Sequence, residues 1–184
     1  MSRVLILNAP PGVGKDTLAG CMEDNYGMYP LSFKAPLFDM VYAILGEPKY
    51  LEFLELYDDR EHKEIRQAML GMKSPREFMI DISERMIKPC MGNDYFGQRA
   101  LAAVNAAACT VVFSDGGFAD EVKPLVDAGH EVHIVQLQRE GYTFAGDSRT
   151  YITIEGAYHH RVPVIDGDVA GTAKIILESI EEMC

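Results

Sequence analysis

Basic residues are scarce in this chain: 17 Lys and Arg stand against 28 Asp and Glu over 184 residues, a formal net charge of −11. Capture of a nucleic-acid backbone needs a positive face, so a nucleic-acid polymer is not an expected partner. An anionic small molecule can be held only if the few cations gather in one cleft. Cysteine is equally sparse. Cys21, Cys90, Cys109 and Cys184 are dispersed, with no CxxC spacing and no neighbouring histidine pattern that would suggest zinc. Reduced thiols in a cytosol are the simpler reading. No apolar run is long enough to cross a bilayer, and the short N-terminal one leads straight into a Gly-rich segment, so neither a membrane partner nor a signal peptide is expected. Internal repeats and low-complexity segments are lacking too. No Asn-Lys pair occurs, which excludes the Asn-Lys-x-Asp base-reading motif of a guanine-nucleotide switch. What remains is a chain long enough to bury about 70% of its unfolded surface as one domain spanning residues 1–184.

Against that background one stretch organises the rest, Arg3 to Thr17, RVLILNAPPGVGKDT. Val4 to Leu7 is an unbroken apolar run, the pattern of a parallel strand buried on both faces. A helical pattern begins near Lys15. Gly12 and Gly14 allow backbone conformations closed to residues with a Cβ, so successive N–H groups can turn inward around phosphate oxygens. The dipole and unpaired N–H groups of the following helix point at the same place. Lys15 would set a positive charge on the β- and γ-phosphates. Strand, turn and helix in this order predict a phosphate-binding loop formed by Pro11, Gly12, Val13, Gly14, Lys15, Asp16 and Thr17. Two positions depart from the full pattern, since Ala9 holds the first Gly position and Asp16 follows the lysine. The Pro-Gly-x-Gly-Lys core with Thr one residue late resembles the form used by nucleoside monophosphate kinases. An ordinary Gly-rich strand-to-helix turn is the alternative.

Further along, Thr17 to Tyr26 has helical spacing and stops at Gly27, and Tyr29 to Phe33 reads as a short strand. The segment SFKAPLFDMVYAILGEP reads as a second helix, with Pro in its first turn and a stop at Gly46 before Pro48. Phe33 and Lys34 fall where strand meets helix, at the sheet edge where open α/β folds bind ligands; a core aromatic is the other reading of Phe33. Tyr50 to Met72 is charged throughout. A solvated helix with paired charges accounts for it, and so does a phosphate clamp using Arg60 and Lys63. Ser74-Pro-Arg-Glu77 is a capping box opening a helix that runs to Pro89. Arg76 in its first turn opposes the helix dipole, which suggests an anionic partner or a salt bridge to a carboxylate. A further helix spans Asp94 to Ala108.

Thr110 to Asp115 is a strand ending in a carboxylate, the place where phosphate-loop enzymes hold Mg²⁺, directly or through water; a plain turn Asp is the other reading of Asp115. Gly116 follows instead of Glu, so no paired carboxylate is present to activate water, and hydrolysis is not the favoured chemistry. Ala119 to Ala128 reads as a helix and Glu131 to Leu137 as a strand. The next segment, QREGYTFAGDSRTYI, contains Gly141 and Gly146, with Arg139 and Arg149 standing ten residues apart. It reads either as a loop that closes over a phosphoryl group or as a solvated surface loop. His130, His133, His159 and His160 are read as structural. Val169 to Met183 closes the chain as an amphipathic helix.

Together NAPPGVGKDT, SFKAPL, DDREHKE, SPRE, GNDYFG, VFSDGGFADE and GDSR resemble, as an ordered set over about Val4 to Ile152, the deoxynucleoside monophosphate kinases of tailed bacteriophages. The resemblance implies a P-loop NTPase fold, a three-layer α/β/α arrangement around a mostly parallel sheet. Its core would cover about residues 1–46 and 94–184, with a helical acceptor-binding region at about 47–93 and a short lid at about 139–150. It implies ATP as donor, Mg²⁺ as metal, and transfer to a dNMP giving dNDP and ADP in a cytoplasm, that of the host for a phage protein. Lys15 and the loop amides would bind ATP; Asp16, Thr17 and Asp115 would organise Mg²⁺ and phosphate. Phe33, Lys34, Arg60, Lys63 and Arg76 would face the acceptor, and Arg139 and Arg149 would close over both. Family members often carry Arg where Gly117 stands here. Another small-molecule P-loop kinase and a non-catalytic nucleotide-binding subunit are the alternatives. The oligomeric state is left open, a homodimer included.

Overall fold

The structure is a computed structural model that describes residues 1–147 and 149–182. The chain divides into two compact units, Met1–Phe33 with Phe96–Cys184, and Lys34–Tyr95. The first is a three-layer α/β/α unit. Its sheet has the order β2-β3-β1-β4-β5, from β1 (Arg3–Asn8), β2 (Tyr29–Leu31), β3 (Val111–Phe113), β4 (Glu131–Gln138) and β5 (Tyr158–Pro163). Every pairing among them is parallel.

The apolar run of β1 explains its central place. Val4, Leu5, Ile6 and Leu7 are all 0% exposed, which requires cover on both faces. On one face Leu5 and Leu7 pack with Leu18 and Met22 of α1 (Lys15–Tyr26) and with Ala173, Ile176 and Ile180 of α8 (Val169–Glu181). On the other, Val4 and Ile6 pack with Ala100 and Val104 of α6 (Tyr95–Ala107) and with Val122 and Leu125 of α7 (Ala119–Asp127). Parallel pairing places the strand-to-helix turns after β1 and β3 at one edge of the sheet.

The second unit is helical. It contains α2 (Ala35–Leu45), α3 (Glu47–Asp58), α4 (Pro75–Ile80) and α5 (Lys88–Met91). Phe53, 0% exposed, anchors it, with Phe38, Tyr50, Tyr57 and Phe78 at centroid distances of 5.6–6.4 Å. The helix expected over Tyr50 to Met72 is not continuous. It ends at Asp58 because the next carboxylate intervenes: Asp59 Oδ1 accepts from the N–H groups of Glu61 at 2.8 Å and His62 at 3.0 Å. That alternative to the helical ladder is the usual reason Asp terminates helices. Two short 3₁₀ turns follow, His62–Glu64 and Ala68–Leu70.

The capping box holds as expected, with Ser74 Oγ accepting from Glu77 N and Glu77 Oε2 accepting from Ser74 N. The helix it opens, expected to run to Pro89, is α-helical only to Ile80 and then π-helical over Asp81–Ile87. Pro89 has no N–H and its ring crowds the carbonyl of the preceding turn, and the backbone widens ahead of it, with Lys88 N donating to Ser83 O.

Strand β5 has no counterpart in the sequence reading. Its inward positions are His160 and Val162, so the apolar alternation is broken by a histidine. That imidazole is buried on a partner: His160 Nε2 and His133 Nδ1 share a hydrogen bond at 2.9 Å, and Glu131 Oε1 lies 2.9 Å from His133 Nε2. Burial holds both rings below the usual histidine range, the structural role expected of them. Met183, the expected end of the last helix, and Cys184 lie outside the described residues.

Close approach of α6 and α7 depends on Gly97, where a Cβ would meet the carbonyl oxygens of Glu121 at 2.5 Å and Asp120 at 2.9 Å. Gly97→Ala is expected to lower stability by about 1–3 kcal/mol, read by urea unfolding. A midpoint equal to that of the parent would show that α7 yields freely.

Candidate functional site

The turn between β1 and α1 is built as its glycines require. Gly12 has φ 81° and Gly14 φ 102°, in the left-handed region that favours glycine. Gly14 is the N-cap of α1 and offers no side chain, so the first N–H groups of that helix are not capped by one. Val13 between the glycines is 2% exposed and pins the turn to the core. Lys15 Nζ folds over the turn, donating to Ala9 O at 2.9 Å and Pro10 O at 3.0 Å. The result is a Gly-rich turn, a helix dipole and an ammonium at one point, a set that suits a polyphosphate.

Asp16 and Asp115 both stand near this point. Ser114 Oγ donates to Asp16 Oδ1 at 2.6 Å, tying the first turn of α1 to the end of β3. Asp115 accepts from Ser32 Oγ at 2.5 Å and from Phe33 N at 3.1 Å, so the residue expected at a metal is also the clasp between β3 and the segment after β2. Asp16, Asp115 and the exposed Thr17 offer only oxygen donors, the kind that suits Mg²⁺. Among the described residues no group of three or more His, Cys, Asp or Glu forms a dedicated metal cage. Magnesium in nucleotide enzymes commonly takes one or two carboxylates, with phosphate oxygens and water supplying the rest.

Beside the turn is a cleft of about 140 Å³ lined by Val13, Gly14, Thr17, Leu137, Arg139, Val164 and Asp166, among others. Arg139 follows directly on β4. Its Nε lies 2.7 Å from Asp166 Oδ1 and its guanidinium 4.9 Å from the Tyr142 ring centroid. Arg149 is engaged elsewhere, its Nε and Nη2 donating to Asp147 at 2.8 and 2.6 Å. The two arginines therefore have different partners and do not form one pair.

Phe33 is the core aromatic that the alternative reading anticipated. It is 1% exposed and stacked on Phe113 at 4.3 Å, so its ring does not line a pocket. The remaining candidates belong to the helical unit. Lys63 is half-buried, with Nζ 3.3 Å from the Tyr57 ring centroid. Burial, and then the like charges of Lys34 and Arg76, push its ammonium down to about 8. Arg76 pairs with Glu64 at 2.5 Å, the salt bridge that its place in the first turn allowed for. Arg60 is exposed in the turn after α3. Lys34 and Arg76 repel the half-buried Lys63 ammonium, and an anion would relieve that repulsion.

Two residues missed in the sequence belong to the site's framework. Asn8, 1% exposed at the end of β1, and Gln136, 6% exposed on β4, both bond the backbone of Ile152. A lone polar residue within an apolar strand is the signal that would have found them.

No family model matches the sequence, and no curated protein matches it. Solved structures share its fold. The APS kinase of Mycobacterium tuberculosis in complex with AMPPNP and APS is 14% identical, with a TM-score of 0.50 over 98% of this chain and 98% of that chain. Dephospho-CoA kinase from Campylobacter jejuni is 10% identical, with a TM-score of 0.50 over 99% of this chain and 98% of that one. At such identities the likeness is one of fold: the three-layer α/β/α arrangement around a parallel sheet is shared with these two kinases.

A lysine depressed in the folded state and ordinary when unfolded releases a proton on folding between the two values. Its penalty is fully present below about 8 and relieved as pH rises toward its ordinary 10.5. Stability is therefore expected to gain a rising component over that window, and Lys63→Met to abolish it while raising Tm at pH 7. Identical pH profiles for the two proteins in thermal melts would remove the strain assigned to Lys63.

Proposed function

We propose that this chain is an ATP-dependent kinase that transfers the γ-phosphoryl group of ATP to a deoxynucleoside monophosphate, giving dNDP and ADP. The observation that carries the reading is the turn at Gly12–Lys15: two glycines at positive φ, a helix N-terminus without a side-chain cap and a lysine at one edge of an all-parallel sheet. That the APS kinase with the shared fold was solved with AMPPNP supports ATP as donor. The dNMP acceptor rests on the ordered set of motifs in the sequence.

In this reading the amides of Gly12 to Thr17 and Lys15 bind the β- and γ-phosphates, and the cleft beside them takes the nucleoside of ATP, with Arg139 along its wall. Asp16, Thr17 and Asp115 would hold Mg²⁺, which when bound neutralises charge between the β- and γ-phosphates. Lys34, Arg60, Lys63 and Arg76 take the phosphate of the acceptor. A phosphate oxygen of the dNMP attacks the γ-phosphorus in line, the bond to the β–γ bridging oxygen breaks, and ADP leaves. The attacking oxygen is already anionic, so no general base is needed. Arg149 would neutralise the equatorial oxygens, a role worth about 10³–10⁵ in rate where an arginine fills it. The segment from residue 139 to 150 would act as the lid.

Lys15→Ala is expected to lower kcat for ADP release in the presence of dNMPs by about 10³-fold with Tm unchanged. Near-parental turnover in that variant would refute the assignment. Arg149→Ala should lower kcat more than it raises the KM for ATP; an effect confined to KM would make Arg149 a binding residue.

A further inference from the structure

Asn8 is the last residue of β1 and leads into the phosphate-binding turn. Its side chain ties together two other segments. Nδ2 donates to the carbonyl oxygens of Gly116 at 3.4 Å and Thr150 at 3.3 Å, while Oδ1 accepts from Ile152 N at 2.8 Å. Only a carboxamide can donate twice and accept from one short side chain. Gln136 reinforces the same anchorage, its Nε2 donating to Ile152 O at 2.9 Å. Next to this knot the aliphatic part of Arg149 crosses Gly117. A Cβ on Gly117 would lie 2.4 Å from Arg149 Cδ and 3.0 Å from Cγ, so the arginine fills the space that any side chain at 117 would need. Its far end is oriented by Asp147, which accepts from Nε and Nη2 and also from the Arg149 N–H at 2.9 Å. The side chains of Arg149 and Asp147 are only 20% and 15% exposed.

We infer that Asn8 and Gly117 are positioning residues that form a fixed seat for Arg149 next to the strand end bearing Asp115. The inference rests on the kinase reading and refines it: Arg149 stands at the anchored end of the lid segment, held in place before substrates arrive, so that lid closure need not carry it in. Preorganisation of this kind removes reorganisation from the chemical step, and a displacement of about 1 Å can cost about 10²-fold in rate. The seat is made by parts that have no contact with substrate in this scheme. Asn8 supplies hydrogen bonds from beneath, and Gly117 supplies room.

The test is a mutant cycle on the full chain with ATP and dNMPs. Gly117→Ala and Asn8→Asp should each lower kcat about 10- to 100-fold while the KM for ATP stays within about twofold. In an Arg149→Ala background Gly117→Ala should have almost no further effect, because the group it displaces is gone. An unchanged kcat in Gly117→Ala, or the same loss with and without Arg149, overturns the proposal. Should Asn8→Asp fail to fold, Gly117→Ala carries the test alone, with thermal melts confirming its fold. A second readout needs no turnover: NMR exchange of the Arg149 Nε–H should be slow in the parent and fast in Gly117→Ala, and equal rates would refute the seat. A parent protein that binds ATP yet transfers to no acceptor defeats the kinase reading and the rate role together, whereas transfer by the parent with an indifferent Gly117→Ala defeats the seat alone.

Discussion

The structure depends on β1 being enclosed on every side. Both of its edges are hydrogen-bonded, to β3 and β4, and both of its faces are covered by helices, so its residues have no freedom to shift register. The turn at Gly12–Lys15 inherits that rigidity. An anion held by backbone amides needs those amides fixed in advance, since each N–H contributes little if it must first be ordered. Val13 in the core and Ser114 on Asp16 tie the turn down from two directions. The same enclosure explains why Asn8 can be buried and fully used: at the end of a fixed strand a carboxamide can be aimed at three backbone groups.

Charge is the second constraint. With a net charge of −11 the protein gains little from long-range attraction of an anionic substrate, and it must rely on short-range, partly desolvated cations. Several of its cations are already neutralised: Arg139 by Asp166, Arg149 by Asp147, Arg76 by Glu64. Lys63 is the exception in kind, a half-buried ammonium weakened by its surroundings. In the proposed reading a phosphate competes with such carboxylates and must offer more charge or better geometry than they do, as a dianion does. In this economy carboxylates orient the arginines, and their cost is a weaker net field.

The geometry of the Gly-rich turn was legible in the sequence because its backbone dictates spacing. Glycines must stand where the backbone turns, and the lysine must follow at the helix start, whatever the rest of the chain does. The elements around it were legible for a similar reason, since apolar runs and helical periodicity report burial directly. What escaped was tertiary. Strand β5 carries a histidine inward, acceptable only because His133 waits on the neighbouring strand to share its hydrogen bond. The break after Asp58 turns on one carboxylate choosing local N–H groups, and the π-helical stretch on Pro89 lying at its end. Phe33 looked like a ligand platform from its position at a strand end, but stacking on Phe113 drew it into the core. Asn8 was invisible because its meaning lies in residues more than 100 positions away, and Gly117 stood out only as the place of a family arginine, since the side chain that fills its space is Arg149, more than 30 positions on.

The most direct test of the account is backbone NMR of the labelled protein titrated with ATP and magnesium. The account predicts that the largest amide shifts fall on Gly12 to Thr17, and that inorganic triphosphate reproduces them in that turn while leaving the cleft lined by Leu137 and Val164 unshifted. Saturable ATP binding with those six amides unmoved would contradict it.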